Sequence, residues 1–454
     1  MPGPDLFAQW RESGREVAVV GLGKSGVAAT LLLRRRDIPV YASDSGRGPV
    51  FDEWAARLRE AGAAVEVGGH DLERIGRAAA VVVSPGVPPD VPALEAARRN
   101  GLEIHAEVEI GFLALEGPRC IGITGTNGKT TTTSLIAHLL VAGGIRAEVA
   151  GNIGRPVCDV ALSTDRPDWL ALELSSFQLH DAPRLAPAVG VLTNLAPNHL
   201  DRYHSLEEYY GDKALLFRNA APASVWITNA DDAAVRTMVA GVPGTHLRFS
   251  IEQRADAWFD RQGDRLMLAE EPLLRRAELP LLGDHNVANA LTAALVADRL
   301  GCARERIAAG LRSFCAIPHR VEPVREVDGV LWINDSKSTN VTSTDVAIAA
   351  VDRPLVLLLG GRHKGEPYTR LAERMGSRCR AVVAYGEAGP IVRQDLEGRV
   401  PVVPAGDFDD VLSTARRLAR PGDAVLLSPA CSSYDMFRNY EERGARFRAA
   451  VEAM

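Results

Sequence analysis

The chain predicts an α/β protein of three domains with largely parallel sheets, and three observations predict it. Short apolar runs alternate with helical patterns nearly throughout, as in sheets whose parallel strands are linked by crossover helices. Two glycine-rich turns, at Gly21–Gly26 and Gly125–Gly128, each follow a strand and open a helix. The strand-helix series restarts without an internal repeat or low-complexity linker, which divides the chain into residues 1–107, 108–316 and 317–454.

Composition narrows the function classes. The 454 residues are 46% hydrophobic and 24% charged, ordinary for a globular protein with substantial cores. A net charge of -6 and a pI of 6.0 recommend neither nucleic acid nor a membrane surface as partner. Cys120, Cys158, Cys302, Cys315, Cys379 and Cys431 are scattered without a C-x-x-C pair, so a reduced cytoplasmic protein is expected. The first twenty residues lack the apolar run of a secretion signal, and no stretch approaches a membrane span.

The first segment opens on "EVAVVGLGKSGVAATLLLRRR". A β-run, Val17 to Val20, meets Gly21-x-Gly23-x-x-Gly26 and then a helix, a Rossmann-like arrangement. Strand two, "IPVYASD", ends at Asp44, about twenty residues downstream, where a Rossmann acid meets a ribose. A third strand, "AAAVVVSPGV", ends in a tight turn. The glycines alone serve strand-helix packing equally well. With strand, helix and acid all present, nucleotide-type binding is the better reading, although the pattern does not say which nucleotide.

The second segment opens on "IGITGTNGKTTTTSLIAHLL", a strand, a glycine turn and a helix of P-loop ATPase type. The full pattern G-x-x-x-x-G-K-[ST] fails, because Ile123 holds the first glycine slot. The remaining geometry still aims backbone N–H groups and the positive helix end at an anion. Lys129 adds a charge for the outer phosphates, and the Thr130 hydroxyl suits Mg²⁺. Glu173, His199 and Lys213 follow at or just past apolar strands, where a doubly wound sheet gathers its ligand contacts. Glu173 is a hard oxygen donor suited to Mg²⁺. His199 reads as readily as a core histidine. Lys213 follows Tyr209 by one helical turn, beside Leu215, Leu216 and Phe217, a pattern that ordinarily means a lysine snorkelling from an amphipathic helix.

The third segment starts near "IPHRVEPV" and again alternates strands with helices, a second Rossmann-like α/β domain. Across all three segments, "GTNGKTTT", "GNIG", "ELSSFQL", "NHLDRY", "YYGDK", "HNVANA", "PHR", "NDSKSTN" and "SPACSSYDMF" occur in order. Together they resemble the Mur ligase family of peptidoglycan synthesis, and within it the branch that adds D-glutamate. The resemblance implies a cytoplasmic, monomeric, ATP-dependent amide ligase with UDP-N-acetylmuramoyl-L-alanine and D-glutamate as substrates. The acceptor carboxylate would take the γ-phosphate as an acyl phosphate, and the glutamate amine would displace phosphate through a tetrahedral intermediate.

Residue by residue, the resemblance implies that Gly125, Thr126, Asn127, Gly128, Lys129, Thr130 and Thr131 cradle the phosphates. Thr130 and Glu173 would hold one Mg²⁺; His199 and Lys213 would serve a second, Lys213 as its N-carbamate. Free lysine titrates near 10.4, so burial is needed to expose neutral amine to CO₂. Asn286, Asn289, Arg320, Asp335 and Lys337, with His319 beside them, correspond to nucleotide-side positions. Thr339, Lys364, Ser433, Tyr434 and Tyr440 correspond to the glutamate pocket. Lys24, Ser25, Asp44, Ser45, Ser84, Pro85 and Gly86 align with the UDP site, and Asn152 and His199 with the sugar-peptide portion. Three positions depart from the family pattern: Asn198 where an acid is common, Tyr440 where phenylalanine is common, and His363 in a variable slot.

The rivals explain less. An NAD oxidoreductase accounts only for Gly21-x-Gly23-x-x-Gly26 and leaves the later motifs unused. A non-catalytic nucleotide-binding regulator has no need of the acid, histidine and lysine set. Ligases adding another amino acid, and folylpolyglutamate synthase, fit the first segment and the "NDSKSTN" to "SPACSSYDMF" pairing less well.

Overall fold

The computed structural model describes residues 5–115, 119–197 and 203–454. They form three sheets. The chain divides into two compact units, Met1–Arg275 with Ala288–Leu311, and Arg276–Val287 with Arg312–Met454.

The first unit holds two sheets. One has five parallel strands in the order Ala64–Val67, Val40–Asp44, Val17–Val20, Ala80–Val83, Ile104–Ala106. Val17–Val20 is buried along its whole length, as an unbroken apolar run requires when helices cover both faces. A first helix, Leu6–Ser13, buries Leu6, Phe7 and Trp10 against this core. Its N-terminus is capped by the Asp5 carboxylate, which accepts from the Phe7 and Ala8 N–H groups. The sheet order reverses at Val17–Val20, so its carboxyl end opens a crevice beside Ala80–Val83.

The other sheet has nine strands. From one edge they run Glu271–Arg275, Arg265–Leu268, Ala257–Asp260, Thr245–Ser250, Val225–Asn229, Val189–Leu192, Arg119–Thr124, Trp169–Glu173, Ala147–Gly151. Seven, from Ala257–Asp260 to Ala147–Gly151, are parallel, as the βαβ pattern predicts; Ala257–Asp260 also opens an antiparallel meander with the two edge strands. Its alternating sequence around Gly263 is a hairpin signal that the parallel-sheet expectation passed over.

The second unit has a six-stranded sheet, ordered Glu322–Val327, Val330–Asn334, Ala424–Leu427, Leu355–Gly360, Cys379–Tyr385, Val402–Pro404. The first two strands form an antiparallel hairpin and the rest are parallel. Asp328 and Gly329 turn that hairpin with φ of 52° and 76°, the left-handed pair of a tight primed turn. Leu355, Leu357 and Leu359 pack into one core layer while Val356 and Leu358 pack into the other, so period-two alternation buries this strand on both faces. No helix among the described residues is long and apolar enough to cross a membrane. All six cysteines are free.

Candidate active site

The positions aligned with the UDP site meet at the crevice of the first sheet. Lys24, Ser25, Asp44, Ser45, Ser84, Pro85, Gly86 and Asn152 line one cavity of 410 Å³. Gly26 lets the helix start close against the strand: a Cβ there would lie 1.8 Å from the Gly21 carbonyl oxygen. Ser84 Oγ donates to that same oxygen at 2.8 Å, tying the turn after Ala80–Val83 to the glycine turn. That strand is the fourth rather than the expected third, because Ala64–Val67 precedes it. Asp44 stands at its strand end as predicted, and its two oxygens accept from the Leu22 and Gly46 N–H groups, each at 2.6 Å. The acid therefore shapes the loop as well as lining the cavity. His70, which the sequence reading missed, also lines it, with Nδ1 2.8 Å from Ser43 Oγ. Its only sequence signal is its place just past the carboxyl end of Ala64–Val67.

The nucleotide loop follows the centre of the nine-stranded sheet. Ile123 is the reason the full glycine pattern is absent: it is still strand, paired with Glu173 and Val191 and fully buried. The turn begins at Gly125, whose φ is 141° and where a Cβ would lie 2.0 Å from Thr193 Oγ1. Thr126 N–H donates to the Asn194 carbonyl, and Asn127 N–H to Asn194 Oδ1. These bonds moor the loop to the neighbouring strand end. The helix Lys129–Ala142 then starts without a side-chain cap, leaving its first-turn N–H groups to meet an anion. Thr130 and Thr131 stand half-buried on that turn. Thr132 Oγ1 donates to Asn289 Oδ1 at 3.1 Å, which places Asn289 beside Gly128.

Two lysines converge on this turn. Lys129 Nζ donates to the carbonyls of Gly125 and Thr126 at 3.0 and 2.9 Å. Lys213 Nζ donates to Gly125 at 2.8 Å. Lys213 is 1% exposed, which overturns the snorkelling reading: the helix Leu206–Ala214 turns it inward. Its amine sits 4.6 Å from the centre of the Tyr209 ring, and the Tyr209 hydroxyl donates to Thr126 Oγ1 at 3.3 Å. Burial, and then the charge of Lys129, hold the Lys213 amine well below the usual lysine range, against a smaller opposing pull from Asp212.

Glu173 ends its strand deep in the protein, 2% exposed. Its Oε1 accepts from Asn152 Nδ2 at 2.8 Å, so the predicted metal carboxylate and a predicted acceptor-site residue touch. Its Oε2 has no hydrogen-bond partner. A buried carboxylate oxygen without a donor fits a hard cation. Among the described residues no group of three or more acidic, histidine or cysteine side chains forms there. Asn198 and His199 lie outside the described residues.

A larger cavity, 650 Å³, continues from the Ser84–Pro88 turn to Phe177, Gln178, Tyr203 and Asp212. Gln178 Oε1 accepts from the Ser175 N–H in a capping box, while its buried Nε2 lacks a partner. The sequence reading quoted "ELSSFQL" without singling out this amide.

The second unit assembles its own group. Asp335 is buried; its oxygens accept from Val321 N–H at 3.1 Å and Ser428 Oγ at 2.7 Å. Burial pushes its carboxyl up to about 6 against those bonds and the Arg320 charge. Lys337 Nζ lies 3.9 Å from the centre of the Tyr440 ring, and Tyr440 meets His319 edge-on. Positions expected on the nucleotide side and on the glutamate side are thus in contact within this unit. Lys364 Nζ reaches Thr339 Oγ1 at 3.5 Å. Ser433 is buried, whereas Tyr434 is 64% exposed. Asn286 is buried, its Nδ2 bonded to the Leu282 carbonyl at 2.8 Å.

Three family models match the chain: Mur ligase MurD-like, N-terminal domain over residues 15–106, Mur ligase middle domain over 123–297, and Mur ligase, glutamate ligase domain over 319–431. The UDP-N-acetylmuramoylalanine–D-glutamate ligase of Acidobacterium capsulatum is 43% identical over 451 residues, covering 97% of this chain and 96% of that protein. The protein of the same name from Salinibacter ruber is 41% identical, covering 96% and 97%. Among solved structures, UDP-N-acetylmuramate-alanine ligase MurC of Thermotoga maritima matches with a TM-score of 0.61 at 18% identity, over 97% of this chain and 99% of that one. MurF of Acinetobacter baumannii matches with a TM-score of 0.61 at 16% identity, over 95% and 93%. These two share the fold.

Proposed function

The chain belongs to the Mur ligase family, and from that premise we propose that it joins D-glutamate to UDP-N-acetylmuramoyl-L-alanine with ATP. Products are ADP, phosphate and the UDP-linked dipeptide. The observation that carries the proposal is the burial of Lys213 against the nucleotide loop. Phosphate binding needs one cationic lysine, supplied by Lys129; a second lysine buried beside it, its amine pushed well below the usual lysine range, serves another chemistry.

In this reading the 410 Å³ cavity takes the uridine diphosphate, and the 650 Å³ cavity takes the sugar-peptide, where the free Gln178 amide meets an acceptor oxygen. The alanine carboxylate attacks the γ-phosphate of ATP. The Gly125–Thr131 loop and Lys129 bind and orient that phosphate, and their fixed positive field favours the charge developing in transfer. In its neutral form the Lys213 amine would add CO₂ and lose a proton, becoming an oxygen ligand. Mg²⁺ held by Thr130, Glu173, the Lys213 carbamate and His199 would neutralise triphosphate charge. In the second unit, Asn286, Arg320, Asp335 and Lys337 serve the nucleotide, as Asn289 does in the first. Thr339, Lys364, Ser433, Tyr434 and Tyr440 hold glutamate, with Lys364 pairing a carboxylate. The amine of glutamate then attacks the acyl phosphate and phosphate leaves.

The proposal includes three domains divided at 107/108 and 316/317, and a monomeric enzyme in the cytoplasm, where the six free thiols stay reduced. A phosphate-release assay with UDP-N-acetylmuramoyl-L-alanine, ATP and a panel of D- and L-amino acids tests it. Release is expected with D-glutamate; release that favours another amino acid overturns the assignment.

A further inference from the structure

His363, Tyr368 and Cys431 form a hydrogen-bonded chain that the reaction just described does not use. His363 Nδ1 lies 2.8 Å from the Tyr368 hydroxyl, and that hydroxyl lies 3.0 Å from Cys431 Sγ. Tyr368 is 1% exposed and Cys431 fully buried. Burial pushes both the phenol and the thiol up, so both keep their protons. A thiol donating to the phenol oxygen and the phenol donating to Nδ1 leaves each group satisfied.

The chain joins two loops. One, Gly361–Tyr368, carries Lys364; the other carries Ser433. Their backbones already meet where Arg362 N–H donates to the Ser432 carbonyl at 2.8 Å. Gly361 permits that approach, since a Cβ there would lie 2.3 Å from the Ser432 oxygen. The second loop is held from behind by buried Arg443, which donates to the Cys431 carbonyl and to Ser336. On its far side the first loop is anchored less firmly, by Glu366 accepting from Val341 N–H at 3.2 Å. The stretch between these anchors contains Gly365, with φ of 87°, a conformation that glycine adopts without strain.

We infer that His363, Tyr368 and Cys431 are positioning residues that set the spacing between Lys364 and Ser433, and with it the fit of the amino-acid substrate. This rests on the glutamate-pocket reading above. The strut's own side-chain hydrogen bonds stay within His363, Tyr368 and Cys431. The onward link to Ser336 runs through Arg443 and the Cys431 carbonyl, which substitutions of those three side chains leave in place, so the effect is expected on the amino acid.

Steady-state kinetics of the full chain test it. Tyr368→Phe and His363→Ala should each raise the glutamate KM roughly three- to tenfold, as loss of one hydrogen bond implies. The kcat and the KM values for ATP and the UDP substrate should stay within about twofold. Tyr368→Phe keeps its fold because the Tyr368 N–H still donates to Asp395 at 2.9 Å and the ring stays in place. Cys431→Ser, which retains a donor, should lose less than Cys431→Ala. The double variant Tyr368→Phe/His363→Ala should be no worse than the poorer single one, since both break the same chain. An unchanged glutamate KM, or an equal rise for all three substrates, overturns the inference. Lys364→Ala separates the two claims: if it too leaves the glutamate KM unchanged, the pocket reading falls; if it raises KM while Tyr368→Phe does not, only the strut falls.

Discussion

Lys129 and Lys213 donate to the same oxygen, the carbonyl of Gly125, at 3.0 and 2.8 Å. Two ammonium ions that close repel each other, and only Lys129 has the exposure to keep its charge hydrated. The pair is thereby unequal: Lys129 keeps solvent contact at the turn, while burial and the Lys129 charge push the Lys213 amine well below the usual lysine range.

Lys213→Arg stays cationic and cannot form a carbamate, so near-complete loss of turnover is expected. Lys213→Ala should be equally inactive but partly rescued by millimolar acetate or formate, which could enter the vacated space and supply an oxygen ligand. Full phosphate release by Lys213→Arg would refute the carbamate.

The same lysine makes stability depend on pH. Its folded pKa lies below the unfolded value near 10.4, so between the two the unfolded chain binds the extra proton. Burial then costs stability, and the cost shrinks as pH rises toward 10.4. In CO₂-free buffer, Lys213→Met should gain more in Tm over the parent at pH 7 than at pH 10. Equal gains at both would mean the lysine is charged when folded.

Glu107 runs the other way. It is fully buried, accepts from Cys158 N–H at 2.7 Å through Oε1, and has no partner for Oε2. Burial pushes its carboxyl from 4.5 to about 7. The folded state then holds a proton the unfolded chain releases, so this contribution is complete below 4.5 and disappears as pH rises through 7. The difference is on the order of 3 kcal/mol. Glu107→Gln, which mimics the protonated acid, should lose less stability than the parent between pH 5 and pH 8 in denaturant titrations. Parallel losses would place an ionised carboxylate there.

Lys129→Ala should lower kcat by about 10²- to 10³-fold with an unchanged circular dichroism spectrum, because a preorganised charge is lost from a half-exposed turn. Near-normal turnover by the folded variant would move the phosphates elsewhere.

Calorimetry should show the UDP substrate binding without NAD competition. Asp44 already accepts from Leu22 and Gly46, and His70 and Asn152 complete the cavity around it. Tight NAD binding without UDP-substrate binding would return the first sheet to the oxidoreductase reading.

Local chemistry was legible from residues alone. Gly21–Gly26 and Gly125–Gly128 announce strand-turn-helix units because φ, steric clearance and helix start are settled within a few residues. The strand ends at Asp44 and Glu173 followed from the same short-range pattern. The Asp328–Gly329 hairpin was equally local, and was passed over because an alternating βα reading does not look for it. What the chain order could not reveal is which way an amphipathic residue faces. Lys213 satisfies a solvent-facing helix pattern, yet its partner carbonyl is 88 residues away and its neighbour Lys129 almost as far. Glu173 meeting Asn152, Lys337 lying on Tyr440, and Tyr368 bonding Cys431 are likewise pairings across sheet layers and loop ends. Burial and mutual distance depend on how separate elements pack. They arise only when the sheets close around them, and they decide whether an amine is charged and whether a carboxylate oxygen is left free.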